Sequence, residues 1–200
     1  NGIRIAQRFS QEGYQIAAAG EMGIGNTTTS TAMACVLLGK RPEEITGRGA
    51  GLSSEGLARK IRAIGKAIDI NRPDASDPLD VLGKVGGFDL AGMTGFYLGC
   101  AACRLPVILD GYISCVAALA ASILCPAAKE YMLVSHGSSE PGTGAVLEAL
   151  GKKSPIQAGM FVGEGTGAAA LLALLDMTLD VYREMSTFSE ISMENYTEQN

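Results

Sequence analysis

Short apolar runs alternate along this chain with longer stretches in which apolar positions recur every three or four residues. Such runs suit buried strands and the periodic stretches suit helices, which together give a parallel sheet covered by helices. Strands are expected over residues 14–19, 105–109, 131–134 and, more briefly, 159–162. Helices are expected over residues 27–38, from a Ser53 or Ser54 cap to about Ile68, and from Asp77-Pro78 to the interruption at Gly86-Gly87. Further helices are expected over 89–103, 114–124, a stretch ending at Leu150, and 166–179. Residues 180–194 read as a polar amphipathic helix, and 195–200 as a frayed tail. The expected fold is an α/β open parallel sheet of Rossmann-like type, flanked by helices.

Two hundred residues suffice for one α/β domain with a good core. Apolar residues make up 47% of the chain and charged residues 18%, so much of it is interior or interface. The net charge of −5, with no basic run, argues against nucleic acid as a partner. No apolar run is long enough for a membrane span and none opens the chain as a signal peptide. The five cysteines (Cys35, Cys100, Cys103, Cys115 and Cys125) are an odd, scattered set. They read as reduced thiols in a cytoplasmic protein. Cys100 and Cys103 form a C-x-x-C, but within a helical stretch rather than after a strand, which disfavours a redox or metal role. The opening residues already look like the inside of a helix, so the chain reads as part of a longer polypeptide.

Four of the expected strands end in loops suited to chemistry: residues 20–26, Asp110-Gly111, 135–142 and 163–167. In open parallel sheets ligands bind outside the carboxyl ends of strands, so the four loops should surround one site. Two of them frame a glutamate with glycines just before a helix. One is Gly20-Glu21-Met22-Gly23-Ile24-Gly25-Asn26-Thr27, the other Gly163-Glu164-Gly165-Thr166-Gly167. Glycine admits close approach of a ligand, and a helix N-terminus offers unpaired N–H groups to an anion. A carboxylate there repels phosphate, so its use is as a proton acceptor or a ribose ligand beside the anion. The first loop aligns with a P-loop, but Asn26 stands where that motif has its lysine, which argues against a nucleoside triphosphate. It also lacks the dinucleotide spacing. A single phosphate or a sugar remains, against the plain alternative of a tight turn with no ligand. Glu164 is the candidate base, its alternative being a helix cap.

Ser138 and Ser139, at a helix start, suit a phosphate. Lys60 could reach a phosphate or be a solvated lysine. Asp110 could hold a ribose hydroxyl or cap the helix after it. His136 is the only histidine, and Ser138 lies too near in sequence to form a nucleophile–base pair with it. One histidine and no acidic cluster of suitable spacing disfavour a metal site.

These loops, with Asp77-Pro78-Leu79-Asp80-Val81-Leu82, Gly86-Gly87-Phe88-Asp89-Leu90-Ala91-Gly92-Met93 and Ser135-His136 through Glu140-Pro141-Gly142, closely resemble one family in order over nearly the whole chain. It is the nicotinate-nucleotide–dimethylbenzimidazole phosphoribosyltransferase family. The resemblance implies transfer of 5-phosphoribose from nicotinate mononucleotide to 5,6-dimethylbenzimidazole or a related base. The products would be α-ribazole 5′-phosphate, for the lower ligand of cobalamin, and nicotinate. It implies Glu164 as general base and Glu21 as a second acidic group of the site. It implies Gly23, Asn26, Gly49, Lys60, Asp110, Gly111, Ser138 and Ser139 around the nucleotide and its phosphate. Met22, Val162 and Gly163 would wall the base pocket. It implies no cofactor and no metal, because the leaving group is nicotinate rather than pyrophosphate. Family members are longer, so their small N-terminal domain is expected to be largely absent here. Residues 1–180 would form the nucleotide-binding catalytic domain and 181–200 a C-terminal helix and tail. The alternative is a non-catalytic nucleotide-binding or assembly domain lacking a complete base pocket. The apolar stretches 89–103 and 114–124 further suggest a surface for a second copy, as in a homodimer.

Overall fold

The structure, a computed structural model, describes residues 1–194 and 197. Helix α1 (Gly2–Gln11) leads to strand β1 (Ala17–Ala19) and helix α2 (Asn26–Leu38). A short α3 (Pro42–Ile45), then α4 (Ser54–Asn71), α5 (Pro78–Val85) and α6 (Phe88–Ala102) separate β1 from β2 (Val107–Leu109). Helix α7 (Tyr112–Leu124), a 3-10 turn (Pro126–Tyr131), β3 (Met132–Val134), α8 (Thr143–Leu150) and α9 (Thr166–Glu184) complete the order.

Among the described residues the strands form one parallel sheet in the order β1-β2-β3. Ala17 is in register with Val107, and Val107 with Met132. Every residue of the central β2 is fully buried, because both faces are covered. Val107 and Leu109 face the main core with α2, α6 and α7, whereas Ile108 faces Ala168 and Leu171 of α9. The period-two alternation of a strand thus assigns α9 to the opposite side from α7.

Helix α7 is buried without a break from Tyr112 to Ser122. A helix apolar all round belongs at the centre of a domain. It packs on α6, α2 and α8, and α6 in turn is covered by α1. The apolar stretches that suggested a partner surface are therefore largely taken up inside the chain. Local signals set the helix ends as expected. The Ser53 hydroxyl accepts from Gly56 N–H at 3.1 Å, and the Asp77 carboxylate accepts from Leu79 N–H at 2.9 Å beside Pro78.

Two expectations are corrected. Residues 159–162 form no strand. Gly159 and Gly163 hold φ of +61° and +76°, which bends the run at both ends. Phe161 and Val162 are exposed rather than paired into the sheet. The edge of β3 is extended instead by a parallel bridge between His136 and Ile156. Nor is there a separate helix over 180–194. Helix α9 continues to Glu184 and stops where Met185 turns extended. Beyond it, Thr187 accepts and donates locally with Glu190, the competition by which Ser/Thr-rich segments favour turns over helix. The tail expected over 195–200 lies, apart from Thr197, outside the described residues.

All five cysteines are unpaired. Burial pushes the Cys35, Cys100 and Cys115 thiols up to about 12, so they carry little thiolate at neutral pH. The C-x-x-C is thus half inert. Cys125, at the end of α7, is exposed. Brief alkylation of the native protein is expected to label Cys125 and to spare Cys35, Cys100 and Cys115 until denaturant is added, as read by mass spectrometry. Among the described residues no helix is long and apolar enough to cross a membrane.

Candidate functional site

Parallel pairing brings the carboxyl ends of all three strands to one edge, so the loops after β1, β2 and β3 lie side by side. Between them, the 47–51 loop and the 161–163 turn opens a cleft of about 330 Å³. Its lining includes Glu21, Met22, Gly23, Gly49, Asp110, Gly111, Ser138, Ser139, Val162 and Gly163. Ten of the residues proposed from sequence thus surround one space. Asn26, Lys60 and Glu164 do not line it.

The two glutamate-bearing turns touch through their backbones. Glu164 N–H donates to the Glu21 carbonyl at 3.0 Å. A Cβ on Gly20 would lie 2.2 Å from the Gly165 nitrogen, a separation that only a missing side chain allows. Glu164 itself holds φ of +57°, a conformation uncommon for a residue other than glycine. Glu164 is exposed and follows Gly163 of the cleft wall, and the Glu21 Oε1 accepts from Met22 N–H at 2.8 Å. Gly20→Ala is expected to force the turns apart, costing about 1–3 kcal/mol as overpacking does. Chemical denaturation measures it.

Asp110 is 1% exposed. Its Oδ2 accepts from Gly165 N–H and its Oδ1 from Ala168 N–H, both at 3.0 Å. It caps a helix, but the distant α9 rather than α7, which follows it in sequence. A carboxylate against the first turn of a helix satisfies orphan N–H groups and complements the dipole. Both oxygens are engaged there.

His136 lines the cleft, with the fully buried Ser135 beside it. The Ser135 hydroxyl lies 2.8 Å from the Leu109 carbonyl and 2.7 Å from that of Asp110. It also lies 3.0 Å from His136 Nδ1. So engaged and fully buried, it is no nucleophile. Burial holds the His136 imidazole below its usual pKa, against the Asp110 carboxylate, which raises it.

Lys60 is buried to 7% exposure, so it is no solvated lysine. Its ammonium donates to Thr27 Oγ1 at 2.9 Å and to the Gly47 carbonyl at 3.0 Å. Thr27 is in the first turn of α2 and Gly47 is in the loop that carries Gly49, so the Lys60 charge stands directly behind the wall that Gly49 and Thr27 form. Burial lowers its pKa, and the Glu140 carboxylate opposes that. Glu140 Oε1 accepts from Gly49 N–H at 3.0 Å, which ties the 47–51 loop to the serine loop. Its Oε2 is buried without a partner among the described residues. Asn26 donates to Asp89 Oδ2 at 2.9 Å and braces α2 on α6.

Thr27, Glu140, Tyr112 and Phe161 also line the cleft and were not singled out from sequence. Glu140 had one signal: a carboxylate within a hydroxyl-rich loop needs donors, and Gly49 supplies one. Among the described residues no group of three or more His, Cys, Asp or Glu side chains is placed to hold a metal ion.

A model of the family described as Phosphoribosyltransferase matches residues 1–192. The nicotinate-nucleotide–dimethylbenzimidazole phosphoribosyltransferase of Acetivibrio thermocellus is 51% identical over 198 residues, 99% of this chain and 56% of that protein. The protein of the same name from Ruminiclostridium cellulolyticum is 49% identical over 195 residues, 98% of this chain and 55% of its own length. The crystal structure of CobT from Thermus thermophilus superposes with a TM-score of 0.89 at 38% identity, covering 98% of this chain and 58% of that one. The chain thus spans a little over half the length of the curated relatives it matches.

Proposed function

Since this chain belongs to the nicotinate-nucleotide–dimethylbenzimidazole phosphoribosyltransferase family, we propose that its protein moves 5-phosphoribose from nicotinate mononucleotide to 5,6-dimethylbenzimidazole or a related base. The products are α-ribazole 5′-phosphate, for cobalamin assembly, and nicotinate. The observation that carries this reading is the backbone lock between the two glutamate turns at the edge of the shared cleft.

In this mechanism the Glu164 carboxylate takes the N–H proton of the base. The lone pair of the other ring nitrogen attacks C1′ of the ribose. The bond from C1′ to the pyridine nitrogen breaks, its electrons leave with nicotinate, and C1′ inverts from β to α. Positive charge builds on the ribose in the transition state, and carboxylates at Glu21 and Glu164 stabilise it. Ser138 and Ser139 hydroxyls meet the phosphate, with Gly23 beside it and the Lys60 charge behind Gly49 and Thr27. Asn26 contributes by fixing the start of α2, and Asp110 and Gly111 form the floor under the ribose. Met22, Phe161 and Val162 support a base pocket as exposed apolar side chains on one wall, with Gly163 beside them.

Calorimetric titration of the full-length protein tests the nucleotide site. Saturable binding of nicotinate mononucleotide, with none of ATP, is expected. No binding of the mononucleotide would overturn the reading.

The protein acts in the cytoplasm, a setting that five unpaired cysteines suit. It forms a homodimer, supported by an exposed apolar stripe on α9 (Leu174, Met177 and Val181). A monomeric mass by light scattering at micromolar concentration would contradict it.

A further inference from the structure

We propose that His136 reads the ribose of the bound nucleotide, its Nε2 accepting a hydrogen bond from one ribose hydroxyl. The inference rests on the phosphoribosyl reading of the cleft and goes beyond it by naming this contact. It begins with proton counting at Ser135. The hydroxyl has one proton and three polar neighbours: the carbonyls of Leu109 and Asp110 and the Nδ1 of His136. Two carbonyl oxygens at 2.7 and 2.8 Å would repel a hydroxyl that offered them only lone pairs. The proton therefore goes to a carbonyl, and the contact at 3.0 Å is made by an N–H on Nδ1 donating to Ser135 Oγ. The neutral ring then carries its lone pair on Nε2.

The rest of the site leaves that lone pair for a ligand. Nε2 has no partner among the described residues, and His136 lines the cleft beside Gly111 and Ser138. The ring is hemmed in along one edge. Its Nδ1 edge lies against Gly167, where even a Cβ would come within 2.5 Å of Cε1. Burial favours the neutral form, in which Nε2 is an acceptor. An acceptor needs a donor. On nicotinate mononucleotide the phosphate and the carboxylate accept, and the ribose hydroxyls donate. Asp110, the other candidate for a ribose hydroxyl, already gives both oxygens to α9.

The test is a calorimetric comparison of the full-length wild type with H136N. Asparagine keeps a donor near the Nδ1 position for Ser135 and removes the acceptor at Nε2. The ligands are nicotinate mononucleotide and its 2′-deoxy and 3′-deoxy analogues. The expected result is about a tenfold loss of affinity for the parent nucleotide, the size of one hydrogen bond. One deoxy analogue should bind wild type and H136N equally. An equal loss for all three ligands, or no loss, would overturn the assignment while leaving the phosphoribosyl reading intact. Failure of the wild type to bind the parent nucleotide would overturn both. Should H136N not fold, nitrogen NMR of the wild-type imidazole decides. A protonated Nδ1, with an Nε2 signal that moves on adding the nucleotide but not inorganic phosphate, supports the proposal. The opposite tautomer, or an unmoved Nε2, sinks it.

Discussion

Glu164→Gln in the full-length protein is expected to lower kcat by about 10²- to 10⁴-fold, the range that a general base contributes. Glutamine is nearly isosteric, and Glu164 is held by its backbone N–H on the Glu21 carbonyl. The turn, the fold and the affinity for nicotinate mononucleotide should therefore be unchanged. A substitution that removes a proton acceptor and a charge felt in the transition state acts on kcat and kcat/KM together while ground-state binding stays. Steady-state kinetics with dimethylbenzimidazole measures it. Normal turnover would exclude Glu164 as the base. Nucleotide binding with no turnover even in the wild type would favour the non-catalytic alternative.

Asp110→Ala is expected to cost stability by about 3 kcal/mol, since two hydrogen bonds to a charged group are lost and each contributes roughly 1.5 kcal/mol at the low end of the usual range. For a chain of this size that lowers Tm by about 6–12 °C. The Gly165 and Ala168 N–H groups at the start of α9 would lose their acceptor. The Glu164 turn precedes that helix directly, so activity should fall as well. Asp110→Asn retains one acceptor and should lose about half as much. Thermal melting compares the three proteins, and an unchanged Tm for the alanine variant would show that the cap carries no weight.

What was legible in the sequence was local. Ser53 and Asp77 announce their helices because an N-cap needs only its own first turn. The Leu-Pro-Val-Ile-Leu run reads as a strand because both of its faces are apolar. The loops at the strand ends stand out through their glycines and carboxylates, and parallel pairing then gathers them. Residues 159–162 misled because three apolar residues between glycines match a strand as well as a turn. The turn wins since both glycines adopt positive φ. The end of α9 was missed because periodicity alone does not weigh the Ser/Thr competition beyond Glu184.

The contacts between loops were not legible. Lys60 meets Thr27 across 33 residues, Asp110 meets α9 across 55 and 58, and Gly49 meets Glu140 across 91. Each depends on the assembled sheet, so the sequence could offer Asp110 only as a ribose ligand or a cap for the wrong helix. Lys60 likewise looked as much like a solvated lysine as a phosphate ligand until its burial beneath Thr27 was seen. The roles of the two glutamates came from the family resemblance together with their place before a helix.

The most direct test incubates the full-length protein with nicotinate mononucleotide and 5,6-dimethylbenzimidazole and follows both products by chromatography. Nicotinate and a ribosylated base, formed in equal amounts and with the α configuration at C1′ by NMR, is the predicted result. Release of nicotinate with no ribosylated base, or a product that keeps the β configuration, would contradict in-line transfer to the base at this cleft.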